Sequence, residues 1–192
     1  MRHFMRPRFA APALAILALQ CAAPLEHFYP DTYFPADGVY QNKSLRFSLT
    51  FRGGWRLTTD PRDMRGASRN FARELQERHA ELLFAGTTVE GNQGVRGIAA
   101  NLNIPYNEYA DRIREINRED VHEDLGITET IIDGIPMVRW DYTVSGFRFV
   151  EFFFVLDTYN VRIAFWTRPA IFERFESVYL DIMSSLDFIS RY

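Results

Sequence analysis

Asp141 and Glu151 fall on neighbouring predicted strands, and they are the chain's best candidates for acid–base chemistry. Two carboxyls buried side by side repel, so one pKa rises and the pair can supply both a general acid and a base. The competing reading pairs each with an arginine of the same sheet (Arg139, Arg148 or Arg162) as a cross-strand charge ladder, and that pairing is the expectation. The run His122, Glu123, Asp124 is the most metal-like cluster. Adjacent residues of a strand point to opposite faces, so the three cannot close on one ion from one side, and a solvated loop is expected. His27 lies in a proline-rich N-terminal segment, and His79 ends a predicted helix, where an imidazolium answers the helix dipole. Phenylalanines 152–154 suit either the lining of an apolar-ligand pocket or plain core, and core is expected. The sequence contains no Gly-x-Ser-x-Gly, HExxH or phosphate-loop motif. No catalytic residue, metal site or cofactor is therefore expected, and the chain is read as a non-enzyme. A hydrolase built from scattered carboxylates is the alternative.

The single cysteine, Cys21, excludes an internal disulfide, a CxxC redox pair and cysteine-rich zinc sites. Its position carries chemistry of another kind. Arg2, Arg6 and Arg8 precede an apolar run over residues 9–19, broken by Pro12 and too short to cross about 30 Å of hydrocarbon. Cys21 stands where such a secretory signal ends. This resembles a bacterial lipoprotein signal, in which the cysteine is acylated and becomes the first mature residue. Residues 18–21 read Ala, Leu, Gln, Cys, so Gln20 and Leu19 depart from the usual small residues. Cleavage after Ala23, with Cys21 and Ala23 as the small positions and Pro24 against the cut, stays open, as does an uncleaved anchor. Ala22, in place of the Asp that favours inner-membrane retention in enteric bacteria, leaves the outer membrane open, and that membrane is expected over the inner one.

Removing the three signal arginines from the chain's 22 basic residues leaves 19 against 25 acids, a net charge of −6. That balance argues against nucleic acid as a partner. Lys43 is the only lysine, and the arginines are scattered rather than clustered. A 192-residue chain with 47% hydrophobic residues can bury a core of its own. The expected organisation is a signal peptide over 1–20, a lipid-attachment cysteine and Pro-rich tether over 21–37, and a single domain over 38–192. Phe28, Tyr29, Tyr33 and Phe34 are unusual in a free linker, so some are expected on the domain surface.

From Gly38 the pattern is regular. Leu45, Phe47, Leu49 and Phe51 alternate with polar residues as the second arm of a hairpin, and Trp55 re-enters the core after a glycine turn. A helix is expected over 67–79, strands over 82–88 and 95–103, and a second helix after Pro105 with Tyr106, Tyr109, Ile113 and Ile116 as its apolar stripe. Strands follow over 126–132, 135–144 and 147–157, joined by Asp133-Gly134 and Ser145-Gly146 turns. The third is apolar on both faces, as in a central strand. Tyr159-Asn160 is read as the next turn, leading to an amphipathic last strand, and a helix begins near Ile171. The order β-β-α-β-β-α-β-β-β-β-α predicts an α+β fold: one twisted, mostly antiparallel sheet of about seven strands with three helices packed on it.

Tyr40, Asn42, Phe47 and Trp55 at the start, and Ser185 and Phe188 after the last helix, resemble the PsbP-like fold shared by DcrB-like envelope lipoproteins; Arg52-Gly53-Gly54 stands where that pattern has a proline turn. The resemblance covers residues 38–190 and implies a non-enzymatic domain that binds or supports envelope components. The resulting expectation is a membrane-tethered, non-catalytic binding or scaffold domain of the bacterial cell envelope. It is lipid-anchored through Cys21 and faces the periplasm, or is secreted if Cys21 is not processed. Its partner is an envelope protein or a small apolar ligand, an apolar-ligand carrier being an alternative function.

Overall fold

The computed structural model describes residues 31–189. The signal, Cys21 and His27 lie outside the described residues. In chain order the strands are β1 (Asp31–Phe34), β2 (Val39–Asn42), β3 (Phe47–Thr50) and β4 (Trp55–Thr58), then helix α1 (Ala67–Glu77), then β5 (Ala80–Thr88) and β6 (Gln93–Ala100). Helix α2 (Tyr106–Asn117) precedes β7 (Glu123–Ile132), β8 (Ile135–Val144), β9 (Phe147–Leu156) and β10 (Tyr159–Thr167); α3 (Phe172–Ser184) and β11 (Asp187–Phe188) close the chain. The α+β class, the antiparallel seven-stranded sheet and the three helices are as the sequence predicts.

That sheet runs β4-β5-β6-β10-β9-β8-β7. A second antiparallel sheet, β1-β2-β3-β11, is an addition the periodicity does not reveal. Its outer members are strands of four and two residues, too short to show a period. Residues 31–34, read as tether, pair with β2, and the Tyr33 hydroxyl donates to the Trp55 carbonyl at 2.9 Å. Tyr33 and Phe34 are thus strapped to the domain, while Phe28 and Tyr29 lie outside the described residues.

Turn chemistry sets the right-hand half of the large sheet. Asp133 and Gly134 both take positive φ (51° and 79°), as do Ser145 and Gly146 (50° and 81°), the two-residue turn that matches strand twist. The β9–β10 turn lies two residues earlier than expected, at Asp157-Thr158, because Tyr159 already pairs with Leu156. Asn160 is no turn former here. It is buried in β10, where its side-chain amide donates to the Ile104 carbonyl at 2.7 Å and its Oδ1 accepts from the Ile104 N–H at 3.3 Å. It thereby pins the loop that leads into α2.

Both faces of the large sheet are covered. α1 and α2 pack on one face against Leu82, Ile98, Val138, Trp140 and Phe153. α3 and the small sheet cover the other, where Phe84, Val150, Phe152, Phe154 and Phe165 meet Tyr40, Leu49, Phe51 and Tyr179. Alternation therefore sends Phe153 one way and its two neighbours the other. β10 lies at the sheet centre and is buried on both faces, so it is not the amphipathic strand expected. In α2, Tyr109 and Ala110 are buried while Ile116 is 53% exposed. Ile116 sits about 70° around the helix from the centre of the stripe those two residues set.

Candidate functional site

Register decides the fate of the two candidate carboxylates. Glu151 lies opposite Trp140, and Asp141 lies opposite Val150. They therefore point to opposite faces of the sheet and cannot share a proton. Glu151 is fully buried beneath α2. Its Oε2 accepts from the Tyr142 hydroxyl at 3.0 Å, and its Oε1 accepts from Arg162 Nη1 at 3.2 Å. Burial opposes charge on Arg162, but Glu151 outweighs it and the guanidinium pKa rises. Burial, reinforced by Glu151, raises the Tyr142 phenol, and burial likewise raises Tyr109 above the pair. Both phenols keep their protons; Tyr142 donates to Glu151, while the Tyr109 oxygen faces the Arg162 guanidinium.

On the other face, Arg139 forms a fork with Asp141, with Nε to Oδ2 at 2.6 Å and Nη2 to Oδ1 at 2.9 Å, and it also bonds Glu176 of α3. The bond Arg139 donates to Asp141 is the main cause raising the Arg139 pKa, against the opposing effect of burial. Arg148 reaches Glu173 at 2.7 Å and Asp141 at 3.5 Å, with its guanidinium 4.0 Å above the Phe172 ring. The charge ladder expected from the sequence is present, with α3 as an unforeseen contributor.

Beside this ladder lies an open groove of about 460 Å³. Leu125, Gly126, Thr128 and Thr130 of β7 form one wall, with Arg139, Asp141 and Arg148 behind them. The groove exists because α3 covers β10 and its neighbours but not the last strand. β7 is accordingly a ten-residue edge, solvent-exposed along almost its whole length. Leu125, Ile127 and Ile131 are 44%, 39% and 73% exposed. Edges of this length are usually blunted by Lys, Pro or strong bulges. β7 has neither Lys nor Pro, and its register shift lies only at its start, between Asp124 and Gly126.

The His122 run sits at that start and is not the solvated loop expected. Glu123 and Asp124 belong to β7, and the His122 N–H donates to the Thr143 carbonyl at 2.8 Å. Burial pushes the Asp124 carboxyl up, but donors from Arg114 (2.5 Å), the Gly126 N–H (2.9 Å) and Trp140 Nε1 (3.0 Å) overcome it and hold the pKa below its ordinary value. Asp124 is therefore a clamp joining α2, β7 and β8. Among the described residues no group of three or more His, Cys, Asp or Glu is placed to hold a metal ion.

Phenylalanines 152–154 are fully buried, with Phe153 edge-on to Tyr109 and Phe152 edge-on to Phe165. They are core, which removes the lining an apolar-ligand pocket there requires. Sequence reasoning missed a stacked aromatic row, Trp140–Tyr142–Phe149–Trp166, with centroids 3.8, 5.1 and 5.6 Å apart. It also missed that β7 is an edge. The available signal was composition: residues 123–132 carry three acids and three threonines or glycines, against the apolar β9.

No protein-family model matches the chain, and no curated protein matches it by sequence. Among solved structures, the solution structure of cyanobacterial PsbP (CyanoP) from Synechocystis sp. PCC 6803 matches 78% of this chain and 91% of its own, at 10% identity and a TM-score of 0.55. A crystal structure of a Pseudomonas aeruginosa protein of unknown function matches 72% of this chain and 84% of its own, at 14% identity and a TM-score of 0.43. The domain has a PsbP-like fold.

Proposed function

We propose that this chain is a non-catalytic binding domain of the bacterial cell envelope, tethered to the membrane through acylated Cys21 and presenting β7 and its groove to an envelope protein. What supports binding is the state of the β7 side: a long unpaired edge next to an open groove, on a domain whose interior carboxylates already answer arginines. What supports the tether is the position of Cys21 directly after a secretory apolar run. Residues 22–30 then separate the anchor from β1 and give reach of at most about 30 Å when extended.

Fractionation of a bacterial host expressing the full chain tests the tether. The wild type is expected in the membrane fraction with an acylated N-terminal Cys21, and Cys21→Ser is expected to leave that fraction or remain unprocessed. An unmodified N-terminus at Pro24 overturns the anchor. Turnover that Asp141→Asn or Glu151→Gln abolishes overturns the non-catalytic role.

A further inference from the structure

The backbone of β7 is phased by its turn. A two-residue hairpin loop is flanked by a hydrogen-bonded pair, here Ile132 and Ile135. Alternation then makes Thr130–Met137 and Thr128–Arg139 hydrogen-bonded pairs as well. Ile127, Glu129 and Ile131 are left with N–H and C=O groups aimed away from the sheet, where no further strand lies among the described residues. The side chains of these three share the face on which α2 packs, and Glu129 stands between two exposed isoleucines. Among the described residues Glu129 has no ion-pair partner, in contrast to Asp124 on the same strand. On the groove side Asp141, Glu173 and Glu176 are already matched to Arg139 and Arg148, so Glu129 is the unmatched charge of this edge.

Resting on the reading of β7 as the binding surface, we infer that β7 accepts an extended segment of another protein as an eighth strand, one carrying a lysine or arginine opposite Glu129 and an apolar residue two positions to either side. Main-chain bonds to Ile127, Glu129 and Ile131 supply affinity, and alternate side chains supply specificity. The basic residue meets Glu129 at the spacing of a directly opposed cross-strand pair, and the apolar residues cover Ile127 and Ile131. A second copy of β7 is the poorer match: residues 123–132 contain no cation, so no register of two copies gives Glu129 an opposite charge.

Fluorescence anisotropy with the full chain and two labelled peptides, SVTKTVS and SVTETVS, tests this. The lysine peptide is expected to bind saturably and about tenfold more tightly than the glutamate peptide, and Glu129→Lys to reverse that order. Glu129→Pro removes one outward N–H without touching the β8 ladder, so it is expected to abolish peptide binding while leaving the melting temperature nearly unchanged. Three results overturn the inference: no saturable binding of the lysine peptide up to about 1 mM; undiminished binding to a folded Glu129→Pro chain; or a concentration-dependent dimer that Glu129→Pro dissociates. Failure here leaves the membrane tether standing, because the tether is read separately from fractionation of Cys21→Ser.

Discussion

Glu151 and Arg162 show how a buried charge can be structural rather than reactive. The pair is nearly solvent-free, and Tyr142 fills a second lone pair on the carboxylate. Removing one partner leaves an uncompensated charge in the core, whereas replacing both by apolar residues of similar volume is often neutral. Glu151→Leu is expected to destabilise the domain by about 3–5 kcal/mol, with much of the loss recovered in Glu151→Leu/Arg162→Met. Urea denaturation of the single and double variants checks this, and additive losses would refute the pairing. Asp124 makes a prediction in pH. Its folded pKa lies below the ordinary value, so its contribution is complete above about pH 4–5 and disappears as pH falls through the folded pKa. Asp124→Asn is therefore expected to be less stable than wild type at neutral pH and to converge with it in acid, as followed by urea midpoints across pH. The sequence named both carboxylates and their arginines, because alternation along a strand is a local property. It did not show that α3 would add Glu173 and Glu176, since those contacts join residues about 25 and 37 positions apart in the chain.

At the scale of elements, neighbouring strands were legible and strand order was not. The hairpins follow from turn residues, but β6 pairs with β10 across a gap that no local pattern encodes. β10, expected to be amphipathic, proved to be the centre for that reason, and the edge position of β7 was not read at all. Asn160 shows the same limit, being a turn former by composition and a buried clamp by position. Two substitutions test element positions. Gly94 lies under Trp166, and a Cβ there would stand 2.1 Å from the indole ring. Gly94→Ala is expected to displace that ring, disrupt the aromatic row and cost about 1–3 kcal/mol, visible as a shifted tryptophan emission and a lower urea midpoint. Thr128→Pro, unlike Glu129→Pro, removes a ladder bond to β8 and should cost about 3 kcal/mol. The reverse order, with Glu129→Pro the less stable of the two, would show that the strand is phased the other way.

For the whole molecule, the described fold includes β1, which pairs with β2 from upstream of Gly38. A chain starting at residue 38 lacks the β1–β2 ladder and the Tyr33 bond to Trp55, and it should melt at a lower temperature than one starting at residue 31. Equal melting temperatures would return residues 31–37 to the tether.

The central place of β10 also has a consequence in time. The half-sheet β4-β5-β6 and the half-sheet β7-β8-β9 touch through β10 alone in the strand order, and the small sheet closes only when β11 reaches β3. Those strand pairings wait for the last quarter of the chain to be synthesised. Such distant pairings slow folding, and until they form β6 presents a bare edge of its own. A nascent chain halted at residue 158 should therefore protect the amides of the β7–β8–β9 meander from hydrogen exchange while leaving β6 unprotected on its β10 side. When residue 158 has been added, the chain holds two unfinished half-sheets awaiting one strand.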